Sequence, residues 1–200
     1  MIPLGIVKYA PPATDLRARR RARSTNLAAA SLSGITVPLV AKEHDVTRRI
    51  DYGRVAPGAL HAMNALQHYT RDSGLEHSVI ELVKLRASQL NGCAYCLDMH
   101  SKDARIEGET EQRIYLLSAW REAPFYTPRE RAALAWTEAV TLIPGGVTDD
   151  LYASAREHFN EKELVDLTMA IVTINGWNRL AVALGADVGS YQPRQSAENR

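Results

Sequence analysis

The only two cysteines of this 200-residue chain, Cys93 and Cys96, stand with two residues between them in a stretch that runs from Glu81 to His100. His100 follows Cys96 by four positions, and Glu81 precedes Cys93 by twelve. The reactive form of cysteine is the thiolate, and a thiol loses its proton more easily beside a cation or at the start of a helix. Both aids are written here. Leu82, Val83, Leu85 and Leu90 recur at helical spacing, and Asn91-Gly92 reads as a stop. The pair therefore falls at the beginning of the next helix, where unpaired backbone N–H groups and the helix dipole favour negative charge. Residues i and i+4 share a helix face, so His100 lies one turn beyond Cys96. As an imidazolium it would stabilise the thiolate, and as a neutral ring it would accept the thiol proton. The residues outline a thiol-based redox site.

Other chemistries account for the pair less well. A structural zinc ion takes four ligands. Cys93, Cys96 and His100 supply three, and Glu81 or His77 could complete the set. Covalent haem attachment needs histidine directly after the second cysteine, where Leu97 stands. A thioredoxin-like fold would place the pair after a strand, whereas the approach here is helical. Two buried structural cysteines remain the plain alternative. Glu81 stands among Val79, Ile80, Leu82, Val83 and Leu85. It reads either as an exposed polar position, which the pattern alone favours, or as a buried carboxylate with a raised pKa fit for proton transfer. His61, His68, His77 and His158 read as surface or satisfied histidines, and Trp136 and Trp177 as core or interface.

Helices must position these groups. Pro57 suits the first position of a helix reaching about Ser73, with Gly74 as its stop. Further helices are expected over about 77–90, 94–107 and 110–121. Thr127-Pro128-Arg129-Glu130 combines a cap, a proline at the first position and a capping-box glutamate, opening a helix to about Leu142. A shorter helix is expected over 149–158. Asn160 and Glu163 form a second box, opening a long helix to Leu184 that Gly185 closes. Its middle, residues 169–174, is apolar on every side, which suits burial in a bundle or between subunits. No alternating run suggests a strand, so the body is expected to be all-α.

The formal net charge of +1 argues against a nucleic-acid surface. Of the 24 basic residues, six lie within the first 25 positions, where Asp15 is the only acid, leaving 18 basic and 22 acidic residues beyond. Residues 1–45 show no sustained period and are punctuated by Pro3, Pro11, Pro12 and Pro38. They read as a disordered or loosely attached tail, with an organellar presequence as the lesser alternative. Residues 46–185 form the expected folded domain, and 186–200 a polar, frayed tail. No uninterrupted apolar run reaches the roughly 18 residues that suggest a membrane span. One close cysteine pair in an otherwise cysteine-free chain is unlike a secreted disulfide framework, so a cytoplasmic location is expected.

Glu81, Cys93-Ala94-Tyr95-Cys96 and His100 reproduce the Glu-x11-Cys-x-x-Cys-x3-His signature of the carboxymuconolactone decarboxylase family. The chain most resembles the single-domain, alkylhydroperoxidase D-like (AhpD-like) branch. Ser73-Gly74-Leu75-Glu76-His77, Gly108-Glu109-Thr110-Glu111 and Ile174-Asn175-Gly176-Trp177-Asn178-Arg179 are similar to that branch too, so the likeness spans about 50–185. It implies an AhpD-like helical bundle, a homo-oligomer and thiol-dependent, peroxiredoxin-type reduction of hydroperoxides without a cofactor. It implies that Cys96 attacks peroxide, Cys93 resolves the intermediate, and Glu81 and His100 relay protons. Spacing agrees, since Cys96 alone has His100 one turn away. A hydroperoxide substrate and a dithiol reductant, protein or small thiol, are the implied partners, with no nucleic acid or membrane. Tyr95 stands where the peroxidase prototype has a histidine. A decarboxylase or isomerase of a small cyclic acid using Glu81 and His100, or a zinc-binding module without catalysis, are the alternatives.

Overall fold

The computed structural model describes residues 48–193. The tail expected over 1–45 lies outside these residues, as does the chain beyond 193. Eight α-helices occupy the described part, with no strand among them. They are α1 (Tyr52–Val55), α2 (Pro57–Arg71), α3 (His77–Asn91), α4 (Ala94–Ile106), α5 (Glu111–Leu116), α6 (Pro128–Thr141), α7 (Asp149–Arg156) and α8 (Glu161–Leu184).

Local chemistry accounts for the boundaries. Pro57 opens α2 at its first position. Thr127 and Glu130 form the expected capping box on α6, each side chain taking the other's backbone N–H, and Asn160 and Glu163 do the same on α8. Gly92 ends α3 in the left-handed conformation at φ 64°, which costs a residue without a Cβ little. The helix expected over 110–121 is shorter. It begins under the Thr110 cap, leaves α geometry after Leu116, and tightens into a 3-10 turn over Leu117–Ala119. The tightening seats Leu117, which is fully buried, and frees the carbonyls of Trp120, Arg121 and Ala123 to accept from the Arg131 guanidinium.

Helix α3 is the centre of the bundle, packed against α4, α6 and α8. Val79, Ile80 and Val83 join α6, α7 and α8 in one apolar cluster. Leu82 and Leu85 join α4, α6 and the 3-10 turn in a second. Ala87 meets Cys93, Cys96 and Ile174 in a third, smaller one. Three faces of α3 are thus committed to packing, which leaves almost no solvated side. Helix α8 crosses α2, α3 and α6. By length and composition it could cross a membrane, yet here it buries Asp166 and Asn178 as hydrogen-bonded polar groups. Of its apolar middle, Ala170, Ile171 and Ile174 are buried, while Val172 is 44% exposed. Residues beyond α8, which composition reads as frayed, run along α4 as far as Tyr191. The Tyr191 hydroxyl donates to Asp103 at 2.7 Å, and Lys102 Nζ donates to the Tyr191 carbonyl at 3.0 Å.

Candidate functional site

The short link from α3 to α4 carries the cysteines. Cys93 caps α4, and its backbone N–H donates to the Ser88 carbonyl at 3.0 Å, tying the cap to the end of α3. Asn91 Nδ2 donates to the side-chain oxygens of Asn175 (2.8 Å) and Asn178 (2.9 Å), and Asn178 Nδ2 donates to Ser88 Oγ at 3.0 Å. Two asparagines of α8 therefore fix the end of α3 just ahead of the pair. Gly176, between them, admits α2. A Cβ at this position would lie 2.8 Å from the Met63 methyl.

Cys93 and Cys96 are joined as a disulfide, with Cα atoms 5.4 Å apart. Both are buried. The Cys96 backbone N–H points at the Cys93 sulfur, 3.3 Å away, so the helix-start donor serves Cys93 rather than Cys96. The two sulfurs differ in surroundings. Cys96 lines a cavity of roughly 440 Å³ between α2, α3, α4 and α8, and Cys93 does not. Tyr95, Met99, His100, Glu81, Lys84 and Trp177 share that wall. A second cavity of roughly 640 Å³ lies on the other side of Glu81 and reaches neither cysteine.

Glu81 is 4% exposed, which overturns the reading of an exposed polar position. With α3 packed on three faces, position 81 points inward whatever its residue type. The alternative of a raised pKa is overturned as well. Burial pushes the carboxyl up, but the hydrogen bond from His100 and the Lys84 ammonium outweigh it and hold the group down at about 2. Lys84 Nζ donates to Oε1 at 2.6 Å, and His100 Nδ1 faces Oε2 at 3.1 Å. Against a carboxylate that stays ionised, Nδ1 carries the proton, and Nε2 is left to accept or return one. Lys84 was not singled out by sequence. The signal was present in its position, since residues i and i+3 meet on a helix. His100 is buried too, at 6% exposure.

Among the described residues, the oxygen and nitrogen ligands that could hold a metal are His77, Glu81 and Glu107, whose donor atoms lie within 4.8 Å of one another. His77 Nδ1 already pairs with Glu107 at 2.5 Å, and both Glu81 oxygens are engaged. Neither cysteine belongs to this group, and as a disulfide the pair offers no thiolate to a metal. His77 is thus a paired surface histidine.

The family model for carboxymuconolactone decarboxylases matches residues 57–139, a span containing Glu81, both cysteines and His100. The uncharacterised protein YdfG of Bacillus subtilis is 48% identical over 141 residues, 70% of this chain and 96% of its own length. The chain belongs to the carboxymuconolactone decarboxylase family. A crystal structure from Agrobacterium tumefaciens, of a protein of unknown function named as a candidate antioxidant defence protein AhpD, is 49% identical. It superposes with a TM-score of 0.67, over 74% of this chain and 99% of that one. An uncharacterised peroxidase-related protein from Ralstonia eutropha, described as an alkylhydroperoxidase AhpD core, shares the fold at 22% identity. Its TM-score is 0.62, over 69% of this chain and 74% of that one. The all-α fold is AhpD-like, and it places a close cysteine pair beside a buried glutamate–histidine pair.

Proposed function

We propose that the protein is a thiol-dependent hydroperoxide reductase whose attacking group is Cys96. The observation that carries this reading is that Cys96, alone of the pair, lines the cavity shared with the Glu81–His100 pair. In the reduced state His100 Nε2 takes the Cys96 proton, and Glu81 holds the ring in the tautomer that permits it. The Cys96 thiolate attacks one oxygen of the hydroperoxide. The O–O bond breaks, Cys96 becomes a sulfenic acid, and the alkoxide leaves as alcohol with the proton that His100 returns. The Cys93 thiol then displaces hydroxide from the sulfenic sulfur, giving the disulfide and water. A dithiol reductant, a protein or a small thiol, supplies two electrons and two protons to restore both thiols and leaves as its own disulfide. Glu81, ionised at about 2, is an anchor for His100 and does not itself carry protons at neutral pH. The family likeness and the peroxidase-related name of a structural relative support the same chemistry. A homo-oligomer is part of the proposal.

Peroxide consumption by the purified protein with dithiol reductants, read together with thiol counts, tests the proposal. Wild type should lose two thiols per hydroperoxide. Cys96→Ser should not react. Cys93→Ser should react once and stop at a sulfenic acid that a dimedone-type probe traps. If Cys96→Ser forms a sulfenic acid at Cys93 at the wild-type rate, the roles are reversed. If no thiol is lost from wild type, a decarboxylase or isomerase built on Glu81 and His100 takes precedence.

A further inference from the structure

Two of the chain's three tryptophans satisfy their indole N–H. Trp120 Nε1 donates to Glu138 at 2.8 Å, and Trp136 Nε1 donates to Thr168 Oγ1 at 3.0 Å. Trp177 Nε1 is sealed from solvent and has no acceptor among the described residues. A buried donor without a partner is costly, and native structures keep few of them. This one is on α8, against the small cluster that contains Cys93, Cys96 and Ile174. Trp177 lines the same cavity as Cys96 and His100. What surrounds it is in the oxidised state, with the sulfurs bonded to each other.

We propose that Trp177 is a positioning residue for the dithiol, its indole N–H donating to the Cys96 sulfur when the disulfide is opened. Two electrons and one proton from a reductant convert the disulfide to one thiol and one thiolate, and the S–S bond is lost. A disulfide sulfur is a poor hydrogen-bond acceptor, whereas a thiolate is a charged one and forms the stronger bond. The donor that is orphaned in the oxidised protein then acquires its partner. The helix-start N–H of Cys96 is directed at Cys93, so it does not serve Cys96. The indole fills that vacancy, while His100 moves the proton. Glu81, Lys84, Tyr95 and His100 share the same wall and set the remaining electrostatics. The consequence is that the hydrogen bond favours the reduced state and makes Cys96 more acidic.

The inference rests on the redox cycle proposed above, and its test separates the two. Trp177→Phe keeps the ring and removes only the N–H. In the reduced variant, the pH profile of iodoacetamide alkylation, read for each cysteine by mass spectrometry, should move up by about one pH unit at Cys96. The profile at Cys93 should stay in place. The dithiol–disulfide equilibrium against dithiothreitol should shift toward disulfide by about tenfold. The oxidised variant should melt no lower than wild type, because it loses an orphan donor and no bond. A measurement on the unaltered protein stands beside these. In a ¹⁵N-indole spectrum, the Trp177 N–H signal should move downfield on reduction with dithiothreitol, while those of Trp120 and Trp136 stay where they are. An unmoved Trp177 signal, or a Trp177→Phe alkylation profile and equilibrium equal to wild type, overturns the inference. If the wild-type disulfide cannot be reduced and re-formed at all, the redox reading itself falls.

Discussion

A carboxylate with an ammonium at 2.6 Å and an imidazole at 3.1 Å has little reason to hold a proton, and Glu81 is the residue on which the site's pH behaviour turns. Its pKa falls from an ordinary 4.5 to about 2 on folding. A group depressed by folding adds stability that is complete above its unfolded pKa and drains away as pH falls through the folded one. For Glu81 that window runs from about 4.5 down to about 2, and the contribution at neutral pH is on the order of 3 kcal/mol. Glu81→Gln should therefore be less stable than wild type at pH 7 by roughly that order, and the gap should close as the pH is lowered through this window. Urea denaturation of both proteins across the range measures it, and a gap that stays constant with pH would show that the carboxylate's charge is not what stabilises. Lys84→Met, which removes one of the two partners that hold the group down, should move the same acid transition upward. Sequence spacing carried the cysteines, Glu81 and His100 as candidates, but it did not carry Glu81's state. That depended on which α3 faces are buried, and a helix apolar on several sides does not say which polar residue is trapped inside.

Helix ends were the most legible feature, because caps are local. The boxes at Thr127–Glu130 and Asn160–Glu163, the proline at position 57 and Gly92 all act within a few residues of themselves, and each stands where the pattern puts it. What was not legible depended on contacts from afar. The four-residue α1 is capped by Asp51 and abuts α2, too short to show a period. The early end of α5 answers to Leu117 and Arg131, which no local pattern couples. The Ile174-Asn175-Gly176-Trp177-Asn178 stretch resembles the family without explaining itself until α2, α3 and α8 are assembled. Gly176 offers a test at this scale. A methyl there meets only the flexible end of Met63, and alanine favours helix over glycine by about 1 kcal/mol. Gly176→Ala should thus remain within about 1 kcal/mol of wild type. Gly176→Leu should separate α2 from α8 and cost about 2 kcal/mol by overpacking, visible in urea denaturation. Equal stability of the alanine and leucine variants would mean that the close approach at Gly176 does not hold α2 in place.

At the scale of the whole molecule, α8 both walls the cavity and presents an unfinished surface. Val165 and Val172 lie two turns apart on one face, 58% and 44% exposed, on a helix whose other faces pack against α2, α3 and α6. A long helix whose middle, residues 169–174, is apolar all round belongs inside something, and this chain covers only part of it. In the proposed homo-oligomer the part left open is closed by another copy of the same surface, since most oligomers pair identical patches about a symmetry axis. The cavity wall formed by Thr173, Ile174 and Trp177 is on the same helix, so assembly would also stiffen the site. Wild type should accordingly scatter light as a species larger than the 22.1 kDa monomer across micromolar concentrations. Val172→Asp puts a charge on the exposed face, where the separate chain tolerates it and a buried interface does not. The variant should keep its helical circular dichroism while its mass falls toward that of one chain, and its peroxide-dependent thiol loss should slow if assembly supports the cavity. A wild-type mass of one chain at every concentration, or a Val172→Asp mass that does not change, would show that the exposed valines of α8 are simply surface.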